Sequence, residues 1–303
     1  MTGYKRKTSA DVVFDIVNVL LLLIITILCL YPVWHVVMAS FSNPTRLSTH
    51  RGVLFAPLAP STLEGYKVLL KDSKILTSYR NTLVYVGLGT LFNMAFTILG
   101  AYTLSRKSLY WKKALMVIIT ITMFFSGGLI PWFLLVKNIG LYNNLWAMIL
   151  PTALNTWNMI VLRTGFESVP QDLEEAAEID GASQAYILFK IIVPLSKPVL
   201  AVILLYYFVG NWNSWFNPMI LLKDRERFPL QLVIKEILVQ NDTAGGATSG
   251  GTQIVVSSVQ GTTAYRELIK YCTIVISTLP VLCIYPFLQK YFTKGVFVGS
   301  LKG

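Results

Sequence analysis

Six apolar stretches, each long enough to cross a lipid bilayer as a helix, constrain this chain more than any other feature. They run approximately over residues 12–39, 82–104, 114–136, 144–162, 199–222 and 271–292. A helix needs roughly 20 apolar residues to cross the hydrocarbon core. The 303 residues are 54% hydrophobic and only 14% charged, which excludes a water-soluble globule of this length. The sequence therefore predicts an all-α, polytopic integral membrane protein with six transmembrane helices in one transmembrane domain.

The first stretch follows Lys5, Arg6 and Lys7, as the apolar part of a secretory signal does. It is too long for a signal peptide and no small-x-small cleavage site follows it, so we interpret it as a retained anchor. Basic residues divide equally between the two sides of the membrane, but they are denser in the short segments on the side of the N-terminus. That density predicts that both chain termini are cytoplasmic.

The opposite, outer side then carries more basic than acidic residues. Such an excess would attract an anionic solute or an acidic partner protein. A scatter of solvated loop charges explains the same count equally well, so both interpretations stay open.

The residue types that commonly carry redox or metal chemistry occur without the neighbours that such chemistry needs. Cys29, Cys272 and Cys283 lie in apolar spans, and the last two are too far apart on one helix to pair. We interpret all three as small core residues. His35 and His50 have no further ligand residues near them in the sequence. The sequence therefore predicts no catalytic residue, no metal site and no nucleic-acid partner.

The loop over residues 163–198 contains signals for two short helices. Ser168 and Gln171 have capping-box spacing, Pro170 fits the first turn, and acidic residues follow where the helix dipole favours them. Gly181 is expected to end this first helix in a left-handed conformation. The second helix is expected from about Ser183 to Ile192, ending before the next proline.

The first of these helices has an acidic beginning and a face of small residues. Helical spacing places Leu173, Ala176, Ala177 and Asp180 on one face, flat enough for another surface to approach closely. A helix pair lying on lipid headgroups would use the same caps. Because acidic residues suit an anionic leaflet poorly, a protein partner is the preferred interpretation.

This loop resembles the EAA loop of bacterial ABC importer permeases, with Val193 in place of the usual leucine. The matching residues are Glu175, Ala176, Ala177, Gly181, Ile191 and Pro194. Asp180, Ala182, Phe189 and Pro198 resemble the carbohydrate-uptake, maltose-permease-like branch. "NWNSWFNPMIL" and the C-terminal "YPFLQKYFTKGVFVGSLKG" are similar to its oligosaccharide subgroup, which includes permeases for alginate- and pectin-derived fragments.

The resemblance implies a type I importer permease whose residues 163–198 form a cytoplasmic coupling loop that docks on an ATPase. It also implies a second permease subunit in a heterodimer, two ABC ATPase subunits and an extracytoplasmic solute-binding protein, in the bacterial cytoplasmic membrane. ATP and Mg²⁺ would bind to the ATPase subunits. This chain has no GxxxxGK[ST] motif, and its glycine-rich "TAGGATSGG" lacks the lysine of a phosphate loop, so we expect no cofactor and no hydrolytic activity in it. The residues expected to couple are Glu174, Glu175, Ala176, Ala177, Asp180, Gly181, Ala182, Phe189 and Pro194.

The fifth stretch is unusually polar and aromatic for a membrane span. Helical geometry groups five candidate pathway residues within about 140° and directs Asn213 and Asn217 elsewhere. Aromatic rings pack against sugar C–H faces, and asparagine both donates to and accepts from hydroxyls. The alternative is that these residues tie helices together or anchor the chain at the interface. The candidates are Tyr207, Phe208, Asn211, Trp212 and Trp215.

Two further features carry predictions about the pathway. Gly127, Gly128 and Pro131 interrupt the third stretch, either as a kink or hinge beside the pathway or as a site of close helix packing. The outer loop, residues 223–270, is expected to contain an amphipathic helix along the outer membrane surface and to cap the vestibule or touch the binding protein. The periodic apolar residues of that helix are Leu230, Val233, Ile234, Ile237 and Leu238.

Three functions are compatible with these patterns. The preferred one is a permease subunit of an ATP-driven oligosaccharide importer, with acidic oligosaccharides favoured over neutral ones by the outer basic excess. A secondary transporter predicts ionisable residues at the membrane midplane, and Asp15 is the only acidic residue inside a span. An intramembrane enzyme predicts a nucleophile, a base or a metal cluster at depth, and no such set is visible.

Overall fold

The computed structural model describes residues 8–243 and 263–300, and within these ranges the chain forms helices and no strand. The basic N-terminal residues 5–7, the glycine-rich stretch 244–251 and residues 301–303 of the C-terminal motif lie outside the described residues. The α-helices of the described chain follow in this order: α1 (Ser9–Ser40), α2 (Pro44–Thr49), α3 (Glu64–Lys71), α4 (Ser73–Ser105), α5 (Lys112–Phe124), α6 (Leu129–Asn138), α7 (Thr156–Glu167), α8 (Asp172–Ile179), α9 (Gln184–Tyr186), α10 (Val193–Leu195), α11 (Lys197–Trp212), α12 (Phe216–Leu221), α13 (Leu230–Thr243) and α14 (Thr263–Ser300). Short 3₁₀ helices occupy Leu145–Met148, Leu150–Thr152 and Arg225–Arg227, and a π-helix, Ile187–Ile192, joins α9 to α10.

The six predicted spans all fall on these helices. Three described segments are long and apolar enough to cross a membrane unaided: α1, α4 and the part of α14 from Ala264 to Ile284. The total is six if each of three bent helix pairs forms one span. They are α5 with α6 at 112°, the 3₁₀ helices of Leu145–Thr152 with α7 at 52°, and Gln184–Leu195 with α11 at 87°. The predicted all-α, polytopic architecture is confirmed.

Several spans that the sequence predicts as continuous are interrupted. The third breaks between Phe124 and Leu129, where Gly128 takes a φ of +87°, so the predicted kink is confirmed. The fourth begins with two 3₁₀ turns, and α7 starts only where the side chain of Asn155 accepts from the Asn158 N–H at 3.0 Å. The fifth breaks after Trp212, before α12 begins.

The described chain divides into two compact units, residues 8–72 with 237–243 and 263–276, and residues 73–236 with 277–300. In the first unit, α1, α3 and α14 meet around Ser40. The Tyr66 hydroxyl donates to Ser40 Oγ at 2.7 Å, and Cys272 Sγ donates to the Ser40 carbonyl at 3.3 Å. A Cβ on Gly65 would lie 2.6 Å from Cys272 Sγ, so only glycine allows α3 to approach α14 this closely.

The cysteines differ in burial. Cys272 is fully buried, so its predicted place in the core is confirmed. Cys29 and Cys283 are exposed, and the prediction of a core position for them was wrong. The lipid-facing surface of a membrane helix is as apolar as a core, so apolar sequence neighbours do not separate the two places.

The second unit has its core where α4, α7, the π-helix and α11 pack together. Leu162, Phe166, Ile187, Ile192 and Ile203 are all 0% exposed there. The α7–α11 contact is close because a Cβ on Gly165 would lie 3.0 Å from the nearest carbon of the Val199 side chain. Small residues that let backbones approach are typical of membrane helix contacts.

The predicted amphipathic helix after Pro229 exists as α13, but its predicted position on the membrane surface was wrong. Leu230, Val233 and Ile234 are 1%, 4% and 6% exposed, so the apolar face is covered by protein. The Leu230 N–H also donates to Thr82 Oγ1 of α4 at 2.8 Å, which ties the start of α13 to a span. A pattern of apolar spacing shows that one face is buried but not what covers it.

Candidate functional site

Contacts between loops show which of them share a side of the membrane. Arg106, just after α4, forms an ion pair with Glu174 of α8, so the turn between α4 and α5 lies on the same side as α8. Asn143 Oδ1 accepts from the backbone N–H groups of Lys223 and Asp224 at 3.0 and 3.1 Å. The loops near residues 143 and 223 therefore lie on one side too. Along the chain, the turn after α4, the loop near 143, α8 and the loop near 223 thus belong alternately to the first and the second of these pairs, as membrane spans between them require.

The segment from α8 to α10, residues 172–195, begins differently from the prediction. Gln171 is the N-cap of α8 and its side chain makes no capping hydrogen bond. Ser168 is instead the C-cap of α7, and its hydroxyl donates to the Gly165 carbonyl at 2.7 Å. The predicted capping box at Ser168 and Gln171 was wrong because α7 extends to Glu167 and takes Ser168 as its own last residue.

The end of α8 matches the prediction for Gly181 in detail. Gly181 has a φ of +79°, in the left-handed region. Its N–H donates to the Glu178 carbonyl at 3.0 Å, and the next N–H, of Ala182, donates to the Ala177 carbonyl at 2.9 Å. These two bonds form a Schellman motif, which satisfies the last carbonyls of α8 and fixes the direction in which the chain leaves it.

The second helix starts as predicted but ends later. Ser183 Oγ accepts from the Tyr186 N–H at 3.3 Å, a regular N-cap. The expected end before Pro194 was wrong, because the helix continues through a π-helical turn and α10 to Leu195. Pro194 has no N–H to donate, and it directly follows the π-helical turn, where the regular i→i−4 hydrogen bonds are already interrupted.

The predicted coupling residues separate into an exposed set and a set that packs inward. Ala177 and Ala182 pack against the core of α4, α7 and α11, so the predicted small-residue face of α8 points partly into this chain. The Glu174 carboxylate is turned inward to Arg106 and its side chain is only 12% exposed. Ile179, which the sequence analysis did not single out, is 87% exposed. The remaining predicted residues, all exposed, are Glu175, Ala176, Asp180, Gly181, Phe189 and Pro194. Their coupling role stays a prediction.

A polar cavity of about 250 Å³ lies between α4, the 3₁₀ turns before α7, and the α11–α12 break. Tyr207 and Asn211, two of the predicted pathway residues, line it. Among the described residues its wall contains no charged side chain. Polar side chains at membrane depth commonly face a water-filled cavity. The polar lining residues are Thr82, Tyr85, Thr152, Asn155, Asn158, Tyr206, Tyr207, Asn211, Ser214 and Asn217.

Tyr207 links three helical segments at this cavity. Its side chain is 6% exposed, and its hydroxyl accepts from the Asn155 N–H at 3.1 Å, at the start of α7. The same hydroxyl is hydrogen-bonded to Thr97 Oγ1 of α4 at 2.7 Å, a bond in which either hydroxyl can donate. Tyr207 of α11 therefore holds α4 and the break in the fourth span together.

Asn211 makes a second link one turn further along α11. Its Nδ2 donates to Asn93 Oδ1 at 2.9 Å and to Thr90 Oγ1 at 3.2 Å, both on α4. Asn93 Nδ2 donates in turn to the Thr152 carbonyl at 2.5 Å. A Cβ on Gly89 would lie 3.1 Å from Asn211 Nδ2, so glycine leaves room for this amide.

The other predicted pathway residues do not line the cavity. Trp212 is 1% exposed and donates through Nε1 to the Ser277 carbonyl at 3.0 Å, while Phe208 stacks on it with ring centroids 6.2 Å apart. Trp215 lies under the Lys235 ammonium, 3.0 Å from the ring centroid. These three residues make packing contacts in this structure.

Asn217 lines the cavity, so the expectation that it points elsewhere was wrong. The α11 residues that line the cavity are Tyr206, Tyr207, Gly210 and Asn211. The centre of this helix face lies about 100° around the helix axis from the centre of the face that the sequence favoured. The break after α11 then resets the helical phase before Asn217. Extrapolation at a constant angle per residue fails across such a break.

Sequence reasoning missed polar residues on the second and fourth spans that either line the cavity, as Asn155 and Asn158 do, or bond to residues that line it, as Asn93 and Thr97 do. Asn93, Thr97, Asn155 and Asn158 lie in or beside apolar stretches, and polar residues at membrane depth are a functional signal in their own right. Of these, Asn93 and Thr97 are 1% and 0% exposed. Applying that signal to every span, and not only to the aromatic fifth, would have found them.

A second, larger cavity of about 690 Å³ adjoins the first and shares Thr152 and Asn217 with it. Gly127, Gly128 and Pro131 form part of its wall. The break in the third span therefore lies next to the polar cavity, as expected of a kink beside a pathway. Its action as a hinge stays a prediction.

Comparison with protein families places the chain in a class of membrane transport components. Residues 74–239 match the family described as "Binding-protein-dependent transport system inner membrane component". This range contains α4 to α12, and thus both the polar cavity and the α8–α10 segment. The chain belongs to this family.

Two individual relatives are similar to this chain over nearly its whole length. The chain is 37% identical to Protein LplC of Bacillus subtilis (strain 168), over 98% of both chains. It is also 37% identical to the polygalacturonan/rhamnogalacturonan transport system permease protein YtcP of the same organism, over 96% of this chain and 98% of that one. The resemblance to oligosaccharide permeases of ABC importers is confirmed.

Chains in two solved structures of transporters also resemble this chain. One chain of a bacterial ABC transporter involved in the import of the acidic polysaccharide alginate superposes with a TM-score of 0.84 at 33% identity, over 95% of this chain and 99% of that one. A chain from a bacterial alginate ABC transporter in complex with an alginate pentasaccharide-bound periplasmic protein superposes with a TM-score of 0.59 at 18% identity, which shows a shared fold.

Proposed function

We propose that this chain is the translocation subunit of an ATP-driven importer for acidic oligosaccharides, of the kind released from pectin or alginate. The observation that carries the substrate class is the likeness over nearly the whole chain to a polygalacturonan/rhamnogalacturonan permease and to an alginate transporter chain. The family membership supports delivery of the substrate by a solute-binding protein. A secondary transporter does not fit a family of binding-protein-dependent components.

In this proposal the α8–α10 segment receives work from an ATPase subunit, which binds ATP and Mg²⁺. Ile179 of α8 and Phe189 of the π-helix are large apolar side chains that are 87% and 56% exposed, and the exposed polar residues Glu178, Asp180 and Lys190 are their neighbours in the sequence. Exposed apolar residues rimmed by polar ones are typical of protein contacts. The complex would contain a second permease subunit and two ATPase subunits, and this chain would hydrolyse nothing itself. The ATPase side, and with it both termini, is the cytoplasm.

The polar cavity is the part of the sugar path that this chain contributes. Tyr and Asn groups there offer ring faces to sugar C–H groups and both donors and acceptors to hydroxyls. Its uncharged lining is the one observation that favours the second candidate, a permease for neutral oligosaccharides. In the acidic proposal, charge selection takes place at the binding protein and at the basic outer loops.

Uptake into vesicles tests the proposal. The chain is purified from its native host through an affinity tag, with the subunits that accompany it, and reconstituted with the binding protein encoded for the same system. Uptake of oligogalacturonides and of alginate oligosaccharides is compared with that of maltotetraose, a neutral control of similar length. Acidic oligosaccharides are expected to be taken up in the presence of ATP. Uptake of maltotetraose alone would favour the neutral permease, and ATP-independent uptake would refute the proposed mechanism.

A further inference from the structure

Arg106, the first residue after α4, connects the end of that helix to α8. Its guanidinium forms an ion pair with the Glu174 carboxylate, and the two side chains are 16% and 12% exposed. The same guanidinium lies over the Tyr102 ring, 4.4 Å from the centroid. The neighbouring Lys107 donates to the side chain of Gln171, at the N-cap of α8. The start of α8 is thus attached to the end of α4 at two positions.

Tyr102 extends this attachment to the second helix of the segment. Its hydroxyl donates to Gln184 Oε1 at 2.6 Å, and Gln184 Nε2 donates to Glu178 Oε1 at 2.8 Å. The chain of contacts therefore runs from α8 through Arg106 and Tyr102 to α9 and back to α8. We call this set, Tyr102, Arg106, Glu174, Glu178 and Gln184, the α4 bracket.

The covalent chain leads from the α8–α10 segment to only one neighbouring span on each side. After α10 it continues into α11 through an 87° bend, and before α8 it comes from α7. The second span, α4, is 67 or more residues away in the sequence but lines the polar cavity through Thr82 and Tyr85. Movement of the segment reaches α4 directly only through side-chain contacts.

We infer that Arg106 and Tyr102 are positioning residues that fix the α8–α10 segment to α4, so that displacement of the segment moves α4 together with α11. This inference rests on the proposed function, since it concerns how the ATPase movement is distributed among the spans. The bracket is suited to the task because the pair is largely withdrawn from water. Removing one partner of such a pair leaves an uncompensated charge, whereas an exposed pair contributes little.

The chain contains a matched control. Lys112 Nζ pairs with Glu167 Oε1 at 2.8 Å, with side chains 23% and 31% exposed. This pair joins the start of α5 to α7, in the same region, and does not touch the α8–α10 segment. Loss of it removes a comparable ion pair without opening the bracket.

The test measures the ratio of oligosaccharide transported to ATP hydrolysed in reconstituted complexes, with mixed alginate and pectin oligosaccharides as the probe. Arg106→Gln is expected to lower the ratio by about fivefold or more, the lower range of measured couplings between sites. Lys112→Gln should leave the ratio within about twofold. The charge exchange, Arg106→Glu with Glu174→Arg, should recover most of the ratio that Arg106→Glu alone loses, which a loss of general stability does not predict.

A second measurement does not depend on substrate. Spin labels on Asp172→Cys at the start of α8 and on Tyr110→Cys, both exposed positions in the wild type and neither among the residues expected to contact the ATPase, report the distance between α8 and the turn after α4. In a background without the native cysteines, this distance should stay constant between nucleotide-free and vanadate-trapped complexes, and should change between them when Arg106→Gln is added.

A ratio for Arg106→Gln within about twofold of the wild type, or an equal loss in Lys112→Gln, overturns the inference while the proposed function stands. A wild-type complex that transports without hydrolysing ATP overturns the proposed function, and the inference with it.

Discussion

Tyr207→Phe removes one oxygen atom and two hydrogen bonds from the centre of the second unit. The Thr97 hydroxyl loses its hydrogen-bond partner at 2.7 Å, and the Asn155 N–H loses its acceptor at 3.1 Å. Interhelical side-chain hydrogen bonds in membrane proteins contribute on average about 0.6 kcal/mol each, so two set a lower bound of about 1.2 kcal/mol. A buried donor left without a partner costs about 1–3 kcal/mol. We therefore expect the free energy of unfolding to fall by about 1.2–3 kcal/mol.

The loss is measured by unfolding the detergent-purified protein with increasing SDS, followed by tryptophan fluorescence. Tyr206→Phe is the matched control, because Tyr206 lines the same cavity but is 52% exposed and makes no hydrogen bond among the described residues. Its effect is expected to stay within about 0.5 kcal/mol. If Tyr207→Phe falls in that same range, Tyr207 does not hold α4 to the break before α7, and the account of the cavity wall is wrong.

Three further predictions concern the segment, a helix contact and a buried carboxyl. Gly181→Val should abolish coupled transport, while Gly181→Asn should retain more of it. The site has open space for a side chain, but its φ of +79° is a conformation that asparagine tolerates better than valine. Transport assays in vesicles measure the difference, and an equal loss in both variants would contradict the reasoning. Gly165→Ala should destabilise the protein by about 1–3 kcal/mol in SDS unfolding, because the new Cβ meets the Val199 side chain. Adding Val199→Ala should restore part of the lost stability. If the losses of the two single variants simply add, this contact is not the cause. Burial raises the pKa of the Glu236 carboxyl, and the charge of Arg225 offsets part of this rise in pKa. As pH rises, Glu236 therefore ionises in the unfolded chain at a lower pH than in the folded protein. Folding stability falls over this range, until the pH exceeds the raised pKa of the folded protein. Glu236→Gln lacks this loss, and its melting temperature should exceed that of the wild type by more at pH 7 than at pH 4; a constant difference would contradict the shift.

The features that the sequence predicted correctly are local ones. Apolar runs of sufficient length identify spans without reference to the rest of the chain. Gly181 ends α8 because the left-handed conformation is a property of one residue and its two hydrogen bonds. Ser183 caps the next helix for the same kind of reason. The family signature lies in this short segment, so the class of protein could be recognised from it.

The features that the sequence did not predict depend on contacts between distant residues or on competition between local signals. Ser168 carries a start signal, but α7 extends far enough to use it as a C-cap. The local sequence predicts that Glu174 is an exposed acidic residue in the first turn of a helix. In the structure it pairs with Arg106, which lies 68 residues earlier in the sequence. Which face of α11 lines the cavity was set by Asn93 and Thr97 on α4, and no helical wheel of α11 contains that information.

The central claim, that the α8–α10 segment docks on an ATPase subunit, is tested most directly by site-specific photo-crosslinking in the purified complex. A benzoylphenylalanine at Ile179 is compared with one at Phe55, which is 73% exposed and which the predicted topology places on the outer side, after the first of the six predicted spans. An adduct between Ile179 and the ATPase subunit, with none from Phe55, is the predicted result. An ATPase adduct from Phe55 in the absence of one from Ile179 would contradict the account.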